Sequence, residues 1–397
     1  MDSKPVSIAL ITLAQVLALS VWFAGAAALP AMMAAANPGS GVQAALTSSV
    51  QIGFVIGALL SAYYGLADRF DARRVFAIGA LLAGAANATA LITEPGSVAM
   101  IASRTLAGAS LALVYPVGMK LAASWAKGDA GLLVGLLVGA LTLGSATPFA
   151  FNLFSTGTDW RTPFLFSAIA AGLAALLIGF AGAGPAFKRG ARFEPAAALL
   201  AVRDPALRLA NFGYLGHMWE LYAMWAWVPV FLHAYFGAGK GAVADITAFS
   251  VVAIGAAGCL LAGWAADRYG RTLITISAMT ISGACALISG FLFDAPVWLL
   301  VPVLLLWGFS VVADSAQFSA AIAELCPPDR TGTLLTLQTA MGFALTAIIV
   351  QLLPVWIDYA GWIWSFAPLA LGPAFGVWAM ARLRHRPEAI KLAGGRR

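Results

Sequence analysis

Twelve long apolar runs separated by short turns leave this chain little freedom in what it can become. They fall at about 6–30, 43–66, 75–93, 97–119, 130–153, 162–184, 206–234, 244–266, 273–293, 296–322, 332–355 and 361–381. A hydrocarbon core of about 30 Å takes roughly 20 apolar residues per helix. Backbone N–H and C=O groups in lipid must find partners within the protein, so runs of this length predict membrane-spanning helices. The breaks carry turn chemistry: NPGSG at 37–41, EPG at 94–96, DAP at 294–296 and CPPDR at 326–330. Composition agrees. Only 10% of the residues are charged and 61% are apolar, whereas a soluble domain carries about 25% charged residues on its surface. The first run is too long for the apolar region of a signal peptide and is read as the first helix.

Charge placement orients these helices. With the N-terminus in the cytoplasm and the loops alternating, 20 of the 23 Lys and Arg residues fall in cytoplasmic segments. Arg161 and Lys240 fall outside, and Arg104 lies within the fourth run. Such a bias predicts both termini in the cytoplasm of a multi-pass protein of the cell inner membrane. The net charge of +6 is then loop charge facing membrane lipid, and no nucleic-acid partner is expected. The longest polar connection, 185–205, holds Lys188, Arg189, Arg192, Glu194, Arg203 and Asp204. It divides the chain into an N-terminal bundle at 1–184, a cytoplasmic linker at 185–205, and a C-terminal bundle with a short cytoplasmic tail at 206–397.

A short sign occurs twice. Residues 64–74 read YGLADRFDARR and residues 263–272 read GWAADRYGRT. Asp68-Arg69 and Asp267-Arg268 stand 199 residues apart, as do Pro30 and Pro229, and Asp159 and Asp358. The expected fold is therefore all-α: twelve transmembrane helices in two pseudo-symmetric six-helix bundles. Chains duplicated in this way place their solute sites where the repeats meet.

Together, these features resemble the major facilitator superfamily, over essentially the whole chain. The family's loop pattern Gly-x-Leu-Ala-Asp-Arg-x-Gly-Arg-Arg is met by Leu66, Ala67, Asp68, Arg69 and Arg73, with Tyr64 and Asp71 where the pattern has glycine. The second copy keeps Gly263, Asp267, Arg268, Gly270 and Arg271. Arg104 and Gly108 match the family's Arg-x-x-x-Gly in the fourth helix, and GLLVGALTLGSATP at 135–148 is loosely similar to its antiporter stretch in the fifth. The resemblance implies alternating access. It also implies a conformational latch on the cytoplasmic side built from Asp68, Arg69, Arg73, Asp267, Arg268 and Arg271. The family's usual form is a monomer.

Ionisable groups inside the runs point to function, because each costs at least a few kcal/mol at mid-bilayer. Arg104, Glu220 and Asp314 are the chief ones. His217 and Glu220 are three apart and share a helix face, so His217 is expected to tune Glu220 as a proton carrier. Asp314 sits with Ser315, Gln317 and Ser319 on a polar patch expected to line a cavity. Arg104 cannot shed its charge and needs a counter-ion, backbone carbonyls or an anionic solute. Trp22, Trp219 and Tyr222 are candidates to stack on an organic solute, with Gln51, Tyr115, Asn152 and Gln338 as polar lining. Trp225 and Trp227 are expected in the interface belt.

Cys259, Cys285 and Cys326 lack metal-type spacing, and no cofactor is expected. There is no GxxxxGK[ST] loop for ATP and no catalytic triad order, so the chain is not expected to be an enzyme. The expected function is secondary active transport of a small organic metabolite, anionic in one version, coupled to protons. A broad drug/proton antiporter and a non-transporting membrane sensor are the rival readings, and import versus export stays open.

Overall fold

The computed structural model describes residues 3–36, 39–127, 129–154, 159–187, 199–327 and 330–397. The side chains of Ser40, Asp68, Ala130 and Gly131 also fall outside the described set, as do Lys188, Arg189, Arg192 and Glu194 of the central connection.

Twelve long helices carry the described chain: α1 Lys4–Ala36, α2 Gly41–Tyr64, α3 Ala72–Leu91, α4 Val98–Ala123, α5 Leu132–Phe154, α6 Thr162–Ile178, α7 Pro205–Phe236, α8 Gly241–Tyr269, α9 Arg271–Phe291, α10 Val297–Leu325, α11 Thr331–Ala360 and α12 Trp362–Arg384. Ten of them are long and apolar enough to cross a membrane; α6 is apolar but shorter, and α7 is 32 residues long. Local chemistry sets several starts. Asp71 caps α3 by accepting from the Arg73 N–H, Ser97 caps α4 by accepting from Met100, and Asp204 accepts from Ala206 and Leu207 ahead of α7, with Pro205 in the first turn.

The duplication is visible in these boundaries. Helices α3 and α9 begin at Ala72 and Arg271, and α4 and α10 begin at Val98 and Val297, both pairs 199 apart. The finer match is internal. Helix α4 breaks after Leu111 and resumes at Tyr115; α10 breaks after Ser310 and resumes at Ser315. Helix α1 also breaks, over residues 20–23, while α7 runs unbroken through the equivalent level.

Packing repeats as well. In the first half α2 packs on α4, α3 on α6, and α1 on α5 and α6; in the second half α8 packs on α10, α9 on α12, and α7 on α11 and α12. Small residues permit these approaches. A Cβ at Gly108 would collide with the Val50 carbonyl of α2, and one at Gly308 with the Val251 carbonyl of α8. The halves meet along α2–α11 and α5–α8, and α1 touches α7. An even number of crossings leaves both ends of the described chain on one side, here called the terminal side.

Candidate substrate cavity and buried charges

A cavity of about 50 Å³ lies where the halves meet. Its wall comes from α4 (Tyr115, Met119), α5 (Val134, Val138, Leu141), α7 (Tyr214, Met218, Leu221, Tyr222), α10 (Ser315, Ala316, Ser319) and α11 (Thr339, Phe343). Helices α4 and α10 run toward the terminal side and contribute their later residues. Helices α5, α7 and α11 run away from it and contribute early or middle ones. The cavity therefore lies in the terminal half of the molecule. Six lining side chains carry a hydroxyl, and none is charged.

Beyond the cavity an aromatic stack crosses the seam. Trp22 of α1 lies 4.9 Å from Phe54 of α2, 5.7 Å from Tyr222 of α7 and 5.1 Å from Phe343 of α11, ring centroid to centroid. Phe23 stacks on Tyr222, and Trp225 meets both edge-on. All six rings are buried. The indole nitrogens of Trp22 and Trp225 and both amide atoms of Gln51 are buried without a hydrogen-bond partner among the described residues. Buried polar atoms normally find partners, so these unmet groups set this level of the seam apart.

The far side is tied by polar contacts. Asn152 of α5 donates to Asp245 of α8 at 3.1 Å and to the Ala27 carbonyl at 3.0 Å. His233 of α7 sits 3.1 Å from the same Asp245 oxygen. Gln351 of α11 donates to Ser48 of α2 at 2.7 Å.

Arg104 is fully buried in the first half. It donates to Asn87 Oδ1 at 2.6 Å, to the Trp22 carbonyl at 2.7 Å and to the Leu46 carbonyl at 3.5 Å, and it lies over the Phe164 ring. The break in α1 turns the Trp22 carbonyl toward the guanidinium instead of into a helical bond. Arg104 thus takes the carbonyl option, with no acid in ion-pair range among the described residues, and it does not line the cavity.

The second half holds the acids. Glu220 accepts from Trp307 Nε1 at 2.7 Å and from Ser282 Oγ at 2.8 Å, reaching α10 and α9. His217 does not pair with it. Its Nδ1 stands 2.9 Å from Asp314 Oδ1 instead. The expectation that His217 tunes Glu220 directly is corrected accordingly: three residues apart on one helix, each turns to a better-placed group on a neighbouring helix.

The polar patch on α10 divides by periodicity. Ser315 and Ser319, four apart, share the cavity face. Gln317 faces the other way and accepts from Arg271 at 2.8 Å. Of the other expected lining groups, Tyr115 and Tyr222 reach the cavity, and Trp22 stands in the stack. Gln338 donates to Asn211 at 3.2 Å, and Trp219 donates to the Pro368 carbonyl beside α12 at 2.9 Å. Trp225 and Trp227 are buried, not in a belt, and Trp227 donates to the Val350 carbonyl. Tyr214 and Thr339 were missed. Tyr214 lies eight residues before Tyr222 on the same helix, a spacing that could have flagged it.

The two loop copies differ. In the first, Arg73 is tied locally to Asp71 at 2.8 and 3.1 Å, and that contact holds the Asp71 carboxyl below its usual range. Asp68, whose side chain is undescribed, cannot be placed beside Arg69. In the second, Arg271 grips Glu324 through two bonds of 2.6 and 2.8 Å and approaches Asp267 at 3.5 Å. Arg268 lies over Trp264 and Tyr269. The segment Pro387–Gly395 folds back here, with the Ala393 N–H donating to Glu324, and Arg396 donates to the Asp267 carbonyl. Glu324 had no sequence signal, since its partner lies 53 residues away.

The model of the Major Facilitator Superfamily matches residues 11–351. No curated protein sequence matches the chain. Among solved structures, the fold is similar to a partially occluded, inward-open conformation of the xylose transporter XylE from E. coli, with a TM-score of 0.77 and 15% identity over 96% of this chain and 99% of that one. It is also similar to a D-xylose-proton symporter (0.76, 17%, 98% and 99%) and to the nucleoside transporter NupG (0.71, 14%, 95% and 99%).

Proposed function

The chain belongs to the major facilitator superfamily, whose members here are transporters, and we propose that it moves a small, neutral, hydroxyl-bearing organic solute by alternating access coupled to protons. The carrying observation is the cavity between the halves, lined by six hydroxyl side chains and no charged one. Hydroxyls that both donate and accept suit a neutral polyol or nucleoside-like solute, and the neighbouring rings offer it an apolar face. Arg104, the cation that would recommend an anion, spends its donors on Asn87 and two carbonyls. Xylose and nucleoside, which two structural neighbours transport, belong to the same chemical class. A broad drug antiporter would want an aromatic cavity with few polar groups, which the lining opposes.

In this reading the far-side contacts Asn152–Asp245 and Gln351–Ser48 break when the halves rock, and the terminal side closes. The loop residues Asp68, Arg69, Arg73, Asp267, Arg268 and Arg271 form the latch on the cytoplasmic side. The division between the halves falls at 185–205, both termini are cytoplasmic, and the working unit is a monomer. The coupling proton is carried within the buried cluster of the second half that holds Glu220, His217 and Asp314.

The test is uptake into proteoliposomes with an imposed pH gradient, using D-xylose, uridine and succinate. The reading expects accumulation of a neutral solute, at least tenfold weakened by Tyr214→Phe combined with Ser315→Ala. Accumulation of succinate with neither neutral solute moved would overturn it.

A further inference from the structure

The geometry points to the His217–Asp314 pair as the site that binds and releases the coupling proton, with Glu220 a fixed acceptor that holds α7 to α9 and α10. This rests on the proton-coupled reading above. Three observations separate the two acids.

The first is valence. Both Glu220 oxygens are filled by neutral donors, Trp307 and Ser282, that belong to its own half. The Nδ1 of His217 and Oδ1 of Asp314 stand at ion-pair distance, 2.9 Å, but not in hydrogen-bond alignment. The Asp314 Oδ1 and the far nitrogen of His217, Nε2, have no hydrogen-bond partner among the described residues. The pair is 1% and 2% exposed by side chain, so this unmet capacity is buried. A small rotation of either group turns the contact into a shared proton.

The second is the backbone. Asp314 closes the four-residue break of α10, where α-helical bonding gives way to tighter turns, Ala313 N–H to Ser310 and Ser315 N–H to Val312. A group at a hinge feels a change of helix angle that Glu220, in the unbroken part of α7, does not.

The third is access. The His217 ring lies 6.2 Å, centroid to centroid, from that of Tyr214, which lines the cavity, whereas the partners of Glu220, Trp307 and Ser282, do not line it. The pair stands one side chain behind the wall. A proton passes from water on one side, rests on the pair, and returns to water on the other; no bond between heavy atoms changes.

At the level of the pair and toward the terminal side, the other buried titratable groups on the surrounding elements are few; Arg104, His233 and Asp245 lie toward the far side, and Arg208, Asp267, Arg268 and Tyr269 at the terminal ends. Helix α7 brings Tyr214, Glu220 and Tyr222, α4 brings Tyr115 and Lys120, and α8 brings Cys259, whose Sγ donates to the Val312 carbonyl in the break. Helix α9 brings Arg271 and Cys285, the end of α10 brings Glu324, and α5 brings none. Arg271 is engaged by Glu324 and Gln317, and Lys120 donates to the Ala67 carbonyl. No Lys or Arg among the described residues comes within ion-pair range of Asp314.

The experiment uses the full chain in nanodiscs, with spin labels replacing Lys127 and His385, which are exposed on the terminal side of the two halves. Inter-label distance distributions are read by pulsed EPR between pH 5 and 9. The unsubstituted pair of charges is expected to shift the populations with pH, and Glu220→Gln to keep that shift at the same midpoint. Asp314→Asn is expected to abolish it. His217→Gln and Asp314→Glu are expected to move the midpoint by about one pH unit, a tenfold change in proton affinity. These last two keep the test sharp if Asp314→Asn fails to fold. Loss of the shift in Glu220→Gln with its retention in Asp314→Asn overturns the assignment. No shift in the parent protein overturns the proton-coupled reading itself.

Discussion

In the first half the buried charge is Arg104, a cation that cannot titrate, wedged among helices α1, α2 and α3 by one amide and two carbonyls. In the second half, besides Asp245 on the far side and Arg271 at the terminal side, the buried ionisable groups are two carboxyls and an imidazole, one carboxyl saturated by neutral donors and the other set beside the imidazole. The helix architecture repeats down to the breaks in α4 and α10, and departs from the repeat where α1 breaks and α7 does not. Evolutionary duplication has kept the frame and divided the chemistry: one half is held rigid by a fixed charge, the other carries groups whose charge can change.

The largest way to break that comparison is at Arg104. Arg104→Met leaves Asn87 Oδ1 and the Trp22 carbonyl buried and unmet, at about 1–3 kcal/mol each. Thermal unfolding in micelles should show this as a severe loss of stability, while Glu220→Gln, which can still accept from Trp307, should stay within about 1 kcal/mol. Equal losses in the two variants would erase the distinction between the halves.

Next in size are the seam contacts. Asn152→Ala and Gln351→Ala each remove one far-side hydrogen bond between the halves, worth about 0.5–1.5 kcal/mol, and Asn152→Ala also removes the bond to the Ala27 carbonyl. Each should shift the two-state ratio roughly two- to tenfold toward far-side opening, read as distances between labels at Leu153 and Val243. Arg271→Lys should cost about 1 kcal/mol by losing the two-pronged grip on Glu324. Arg73→Lys should change stability less than Arg271→Lys, because the acid it pairs with, Asp71, is exposed and local.

The smallest effect is the pH response of Asp71. Its folded pKa is lowered by the hydrogen bond from Arg73, so its contribution is present above the unfolded value of about 3.9 and fades as pH falls through the folded value. Stability should be flat in this respect from pH 5 to 8, with Asp71→Asn differing from the parent only there and converging with it in acid.

The frame of the molecule was legible because lipid enforces it: apolar runs of spanning length, turn residues between them, and a register of 199 that recurs in the helix starts. The membrane aromatics were partly legible. Trp22 and Tyr222 come together at the seam, but Trp225 and Trp227 are core residues, since an aromatic ring can fill a helix interface as readily as a headgroup layer. Partner choice was not legible. His217 faces Asp314 and Gln317 faces Arg271 because of how α7, α9 and α10 are rotated against one another, and single-helix spacing carries no information on that rotation. The serines four apart on α10 were readable for the opposite reason: they depend on one helix alone.

The most direct test of two halves rocking about the cavity is a pair of distances taken together: Leu153 to Val243 on the far side and Lys127 to His385 on the terminal side, measured by pulsed EPR in nanodiscs with and without D-xylose or uridine, across pH 5 to 9. The account predicts two populations at each pair, with conditions that lengthen the far-side distance shortening the terminal-side one. A single, unchanging distance at both pairs, or lengthening at both together, would contradict it.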